Sequence, residues 1–445
     1  MTEELDPRKG KKLHWHEKEV KPMKVGEPML VHKNPLNDLF ALTISVDIGS
    51  RHDNRLSMAT QLLDKSGTKR FSAGQLKKEW YKLGTDFGVG IGDNETFINL
   101  SGLDDNLDAS LALLLEVLRE PSADTATLEE LKKIILVQRE DAKKDFRTLA
   151  GAVALFNRYG ADSPYLKALP NDAVQAMTIE QLHGLTRGLL NYPLTVTYTG
   201  SLPIKQVRRM LEQRLGREVA VKPAPLYVFL KAATPDANRI CLFNKEMAQS
   251  QVRLEFGDGE YSELNFPAVQ LYNEYFSGGM SGIVFQELRE ARALAYSAGA
   301  VYGNGSRKGE QNLMTGSIGT QTDKTIDAVE AFLGLLEELP ASPERFQAAR
   351  DAILTRYRTG KISFREVLGA VRSWERLEVP IDPRKARFAK VQRAGLDLVL
   401  QFHREHLKGK PKLISIVGDK SKFDLDRLRK SGAITELELK DLFVF

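Results

Sequence analysis

The chain has 445 residues, 42% of them hydrophobic and 28% charged, with a net charge of +5 at neutral pH. That length exceeds one ordinary domain, the composition is that of a soluble globular protein, and so small a charge excess argues against nucleic acid as a partner. The single cysteine, Cys241, excludes an internal disulfide and any cysteine-built zinc site; it sits in the apolar run Arg239 to Phe243, which reads as a buried strand. No stretch approaches 18 consecutive apolar residues, so no membrane helix is expected. The first residues lack the apolar core of a secretory signal. A cytoplasmic location follows, or a periplasmic or secreted one if the chain was cut from a longer precursor.

Residues 1–22 read as a polar arm. Its basic cluster (Arg8, Lys9, Lys11, Lys12) reads as solvated, and His14 and His16 around Trp15 do not make an ordered metal site. Phe40 to Gly49 is a strand ending in glycine, followed by a helix-like run and a turn at Gly67. A helix over Ser72 to Leu83 and a strand pair over Gly84 to Leu100 come next. In the latter, Gly88-Val-Gly-Ile-Gly92 lacks the Lys-Ser/Thr of a phosphate loop and reads as strand glycines near an edge. Leu107, Leu111, Leu114, Leu115 and Leu118 line one face of a helix. A further helix spans Thr127 to Phe146, and the half closes on the strand Leu194 to Gly200.

Lys222-Pro-Ala-Pro225 marks a linker, with a strand-like run over Leu226 to Leu230. The layout then recurs, offset by roughly 210 residues. Ser250 to Gly257 repeats the first strand, Gly278-Gly279 the turn, Ile326 to Leu339 and Pro343 to Thr359 the paired helices, and Leu413 to Gly418 the closing strand. Pro121 and Pro340 stand at helix stops. Within the second half, Ser281 suits the N-cap of a helix over Gly282 to Arg292, and Leu294 to Tyr302 reads as the following strand. Arg289 falls late on that helix and Tyr296 early on that strand. The expected fold class is α+β: two homologous domains, 23–220 and 236–445, joined by a linker at 221–235, each a mostly antiparallel sheet covered by helices.

The segment Phe276 to Tyr302 resembles the second-half signature of the M16 (pitrilysin-like) zinc metallopeptidases. Arg289 and Tyr296 match its arginine and tyrosine. Weaker matches support it in order and spacing: Leu62 to Thr68, Tyr159 to Tyr165, Asn244 to Ser250 and Ile414 to Asp419. The resemblance implies the LuxS/MPP-like metallohydrolase fold. It also implies that Arg289 and Tyr296 hold the substrate backbone and the developing oxyanion, as fixed donors aimed at growing negative charge.

Active members of that family carry His-x-x-Glu-His on the helix before the Gly-Thr turn, two ligands one helical turn apart with a glutamate base. The matching positions here are Met58, Gln61 and Leu62, and residues 53–63 contain no histidine and no glutamate. Glu129, Glu130 and Glu140 lie on a later helix without histidines to join. His403-Arg-Glu-His406 has the wrong order and reads as two helix-surface histidines; His52 and His183 stand isolated. No Gly-x-Ser-x-Gly nucleophile elbow appears. No metal or other cofactor is therefore expected in this chain. The resemblance implies a catalytically incomplete half or subunit, supplying Arg289 and Tyr296 and half of a peptide-degrading chamber to a zinc-bearing partner, separate or fused, or self-associating. Residues 14–31 are similar to the joining region of fused members. The alternative is a non-catalytic scaffold subunit of the same fold.

Overall fold

A computed structural model describes residues 32–215 and 222–445 in full, and the main chain of short strands at 4–5, 12–13, 21–25 and 27–31. Arg8, Lys9, Lys11 and the His14-Trp15-His16 run lie outside the described residues, as does the expected boundary at residue 220.

Two six-stranded sheets form the frame. The first contains β1 (Lys21–Val25), β2 (Glu27–Lys33), β3 (Leu39–Val46), β4 (Asp86–Ile91), β5 (Thr96–Leu103) and β6 (Leu194–Gly200), in the order β1-β2-β6-β3-β5-β4. The second contains β7 (Arg239–Asn244), β8 (Gln249–Glu260), β9 (Ser297–Gly303), β10 (Gln311–Gln321), β11 (Leu413–Gly418) and β12 (Ala433–Leu437), in the order β12-β7-β11-β8-β10-β9. Five strands of each sheet follow the same path: a parallel pair (β2 with β6; β7 with β11), then antiparallel neighbours out to the edge strand. The duplication legible in the sequence is thus a duplication of topology. Only the sixth strand differs, since β1 pairs antiparallel with β2 whereas β12 pairs parallel with β7.

Most helices form close to where their apolar spacing predicts, but the run expected as one helix over Thr127 to Phe146 ends at Ala142, and Phe146 opens a separate helix because Asp145 caps it. In the first half the helices are α1 (Leu56–Lys65), α2 (Ala73–Leu83), α3 (Leu107–Arg119), α4 (Thr125–Ala142) and α5 (Phe146–Tyr159). Ser72 starts α2 with a reciprocal capping box to Gln75. The leucines of α3 pack on β3, β5 and β6. In the second half the helices Phe266–Ser277, Thr325–Glu337 and Pro343–Thr359 cover one face of the second sheet.

The other face of the second sheet is covered by a helix from the first half. Ile240, Cys241, Leu242 and Phe243 are all buried, as in a strand covered on both sides. Ile240 and Leu242 face the second half's own helices, while Cys241 and Phe243 meet Leu149, Ala152 and Val153 of α5. Burial pushes the Cys241 thiol up to about 11, so it is an inert core thiol. The polar end of α5 is stitched into the same sheet. Arg158 makes a two-pronged ion pair with Glu255 of β8, whose side chain is fully buried; the Nε to Oε2 distance is 3.2 Å. Asn157 Nδ2 donates to the Ile414 carbonyl at 3.0 Å, and its Oδ1 accepts from Arg239 Nε at 2.9 Å. Conversely, the second half's helix Val367–Arg376 reaches the first sheet: Arg372 donates to Ser45 Oγ at 2.8 Å, and Arg372 and Arg376 both pair with Glu95 in the β4–β5 turn. Each half therefore needs the other to complete its packing.

Two long-range features also differ from expectation. Leu226 to Leu230 is extended but belongs to no sheet; its main chain bonds to side chains of the first half instead. His403 is not on a helix surface. It is 3% exposed on the helix Leu396–His406, beside the buried ring of Tyr272, because that helix packs inward. His406 is partly exposed and bonds Asp258 through Nδ1 at 2.6 Å.

Breaking a buried ion pair strands a charge, at a cost of about 3–5 kcal/mol. Glu255→Gln is expected to lower unfolding stability by about that much, and Arg158→Met/Glu255→Leu together by clearly less than the two single changes summed. Urea denaturation of the parent, Glu255→Gln, Arg158→Met, Glu255→Leu and the double change reads this directly. His403 gives a second expectation. Burial pushes its imidazole down to about 4 from 6.5, and nearby Glu337 offsets this only in part. The unfolded chain therefore binds the proton more tightly. The histidine's contribution is intact above pH 6.5 and is lost as pH falls toward 4, by about 3 kcal/mol in total. The stability of His403→Leu relative to the parent should rise by about 2–3 kcal/mol between pH 7.5 and pH 4.5; a gap that does not move with pH would contradict it.

Candidate functional site

The matched metal-binding face lies on α1. Met58 and Leu62 are buried there and pack against α4 through Leu128, Leu131 and Ile135. Gln61 points outward, with Nε2 3.3 Å from Ser57 Oγ. A thioether buried in the core, a neutral amide and a leucine do not make a zinc donor set. Among the described residues no three histidine, cysteine or carboxylate side chains converge into one. The residues present on this face of α1 therefore do not fit the metal that the family resemblance implies there.

The α1 face nevertheless fronts a cavity of about 940 Å³, bounded by α4, the loop 162–169 and the linker. The linker is strapped across it by three side chains. Asn94 takes both main-chain groups of Val228, accepting from its N–H at 2.7 Å and donating to its carbonyl at 3.2 Å. Arg51 donates to the same carbonyl at 2.9 Å and pairs with Asp93 at 2.6 Å. His52 accepts from the Gly49 N–H on Nδ1 at 3.0 Å, which leaves Nε2 as the donor to the Leu226 carbonyl, also at 3.0 Å. On the other side Tyr227 stacks under Arg307, and the Ala232 N–H bonds to Gln311 of β10. His52, isolated in the sequence, is thus a strap anchor. Its partner lies 174 residues away, so no local pattern marks it.

Arg289 and Tyr296 stand at the edge of the second sheet. The helix that carries Arg289 is shorter than its spacing suggests: a single turn at Ile283–Phe285 runs into a π-helical turn at Gln286–Glu290. Gly282, not Ser281, precedes it, because Ser281 is held in a tight turn by its bond to the Gly278 carbonyl. Leu288 is fully buried and anchors the turn. The neighbouring Arg289 is left 49% exposed, its guanidinium over the Phe285 ring at 4.9 Å and its Nε 3.8 Å from Glu290. The chain reverses through Ala293, at φ 50°. Tyr296 precedes the first residue of β9 rather than lying within it, but its N–H already bonds the Gly319 carbonyl at 2.8 Å. Its side chain is 53% exposed, and its hydroxyl accepts from Gln321 Nε2 at 2.9 Å, leaving the phenolic proton free to donate. Among the described residues no hydrogen bond or ion pair joins Arg289 to Tyr296.

The two sheets end in corresponding edge strands, β4 and β9, with different outer rims. The rim of β9 is occupied. Ser277 Oγ accepts from the Ala300 N–H at 2.9 Å, and Asn273 bonds both the N–H and the carbonyl of Tyr302. No side chain among the described residues bonds the main chain of β4. Gly88 and Gly90 lie on one face of it, and a Cβ at either would meet nothing within 4 Å. The glycine run expected near an edge is indeed on an edge strand, and it leaves one face of that strand bare.

No helix among the described residues is long and apolar enough to cross a membrane. Residues 29–154 match the profile of the insulinase family (peptidase family M16), and residues 194–353 match that of the peptidase M16 inactive domain. An uncharacterized zinc protease of Rickettsia felis is 22% identical over 289 residues, covering 63% of this chain and 69% of that protein. Among solved structures, the peptidase M16 inactive domain from Pseudomonas fluorescens superposes with a TM-score of 0.73 at 18% identity, over 90% of this chain and 98% of that one. The periplasmic protease PqqL from Escherichia coli superposes with a TM-score of 0.70 at 12% identity, over 94% of this chain but only 46% of that one. With both profiles of one family matched in sequence order, on the duplicated sheet-and-helix fold of its solved members, the chain belongs to the M16 peptidase family.

Proposed function

We propose that this chain is the catalytically incomplete half of an M16-type peptidase and works with a zinc-bearing half, held on a separate subunit or a fused segment. The observation that carries the reading is a division within one chain. The α1 face holds Met58, Gln61 and Leu62 where metal ligands would stand, while the terminal NH groups of Arg289 and the phenolic proton of Tyr296 have no partner among the described residues. The length relation supports it: this chain matches almost all of one inactive domain and under half of a longer protease.

On this reading the partner's zinc supplies the activated water for attack on the scissile carbonyl. The residues of this chain bind and orient. Arg289 presents its terminal NH groups, which have no hydrogen-bond partner among the described residues, to a substrate carbonyl. Tyr296, turned by Gln321, donates its phenolic proton to the oxyanion. A peptide substrate lies as an added strand, where main-chain bonds give affinity without strict sequence preference. The open rim of β4 suits this and the blocked rim of β9 does not, so β4 is the assigned edge on this side of the chamber.

The test is to assemble the chain with a zinc-bearing M16 half from the same genome and measure peptide cleavage. Loss of one oxyanion donor typically costs about 10²–10³ in rate. Tyr296→Phe is expected to lower kcat about a hundredfold with the complex intact by gel filtration, and Arg289→Ala to do similar harm to kcat/KM. Unchanged rates for both would discard the catalytic role and leave the scaffold reading. Gly90→Val fills the open side of β4 without straining it, since valine favours strands. It should raise KM at least several-fold while the melting temperature stays within about 2 °C.

A further inference from the structure

The cavity beneath the linker strap contains an unbalanced charge. Three of its cations are neutralised by carboxylates of the same wall: Arg51 by Asp93, Arg55 by Asp53 and Lys167 by Asp162. The Arg55–Asp53 pair is two-pronged. Burial pushes the Asp53 carboxyl up, but the Arg55 guanidinium and main-chain N–H together hold it below its ordinary value. Arg139 of α4 is the fourth cation. Among the described residues it bonds only a neutral acceptor, Asn171 Oδ1, at 2.6 Å, and its guanidinium rests over the Phe445 ring at 4.5 Å. Burial lowers its pKa with no carboxylate to offset the loss of water. A guanidinium held in position by an amide and a ring, on a side chain that lines a cavity, can receive an anion.

The rest of the wall says which anion. Met58, Ile135, Leu169, Val174 and Leu230 make much of it apolar, and the amides of Gln61 and Gln138 add neutral polar groups. One cation suits a single carboxylate, not a phosphate cluster. The apolar wall suits an uncharged body, and the amides suit a peptide main chain. At about 940 Å³ the space takes a few residues.

We infer that the vestigial metal cleft is a binding pocket for the free carboxyl end of a peptide with an apolar last residue, with Arg139 as the carboxylate receptor. The pocket needs neither the zinc-bearing half nor Arg289 and Tyr296, so this inference and the proposed function stand or fall separately.

The purified 445-residue chain, alone, is titrated by calorimetry with acetylated tripeptides ending in leucine, valine or phenylalanine, each as free acid and as C-terminal amide, and with octanoate. At least one free acid should bind one-to-one with a Kd below about 1 mM, and its amide at least tenfold more weakly. Arg139→Gln should weaken the acid at least tenfold and abolish the preference for acid over amide; Arg139→Lys should restore part of it. The inference is overturned if none of the three acids binds, if acid and amide bind the parent equally, if octanoate binds and the peptides do not, or if Arg139→Gln binds the acid as well as the parent does. The acid-to-amide ratio is read on the parent chain, so it holds even if a variant folds poorly.

Discussion

The pairing of Arg158 with the buried Glu255 fixes a helix of the first half onto the sheet of the second. Much else follows from that docking. Leu149 and Val153 fill the face that Cys241 and Phe243 would otherwise show to water, each contributing roughly 1.5–3 kcal/mol by burial. An ion pair at such a depth gains little over a hydrophobic substitute, but it penalises any other seating of the helix, because a shifted α5 would leave both charges unpaired. The linker inherits its path from the same contact: the Ala233 N–H bonds the Arg158 carbonyl at 2.8 Å, and from there the chain runs back over the α1 cleft. The strap, the cavity beneath it and the orientation of the two sheet edges are consequences of one interlocked junction.

Duplication gives this fold two of everything, and divergence has treated the copies differently. Strand β9 has its rim bonded by Ser277 and Asn273, as edges that must not recruit a stray strand are often protected. Strand β4, its counterpart, has no side chain bonded to its main chain among the described residues, and Gly88 and Gly90 leave one of its faces bare. In the first half, Met58 and Leu62 fill the face of α1 beside a roomy cleft. The second half exposes Arg289 next to the fully buried Leu288, so the same short turn is rigid on one side and available on the other.

Local physics made much of this legible in advance. The leucine stripe of α3, the capping serine of α2 and the repeated strand-turn-helix layout are short-range signals, and they give the elements and the duplication. The absence of ligands on α1 was equally plain, since a metal site of this kind needs histidines one turn apart. What failed was long-range. The run Leu226 to Leu230 has strand composition, but its hydrogen bonds go to Asn94, Arg51 and His52, which nothing nearby in sequence announces. The histidines of His403-Arg-Glu-His406 look alike as letters, yet one faces the core and the other meets Asp258, according to the face of the helix each occupies. Nothing in the sequence singles out Arg139 on its helix. Only its place on the cavity wall, with no carboxylate paired to it among the described residues, distinguishes it.

In the proposed function this chain contributes binding groups to a hydrolytic centre whose ion is held elsewhere. Metal analysis of the purified chain, loaded with excess zinc and then desalted, tests that without any assumption about substrate. The chain alone should retain well below one zinc, and a full equivalent should appear only once a zinc-bearing half is bound. About one tightly held zinc on the chain alone, lost when the α1 cleft is altered, would contradict it.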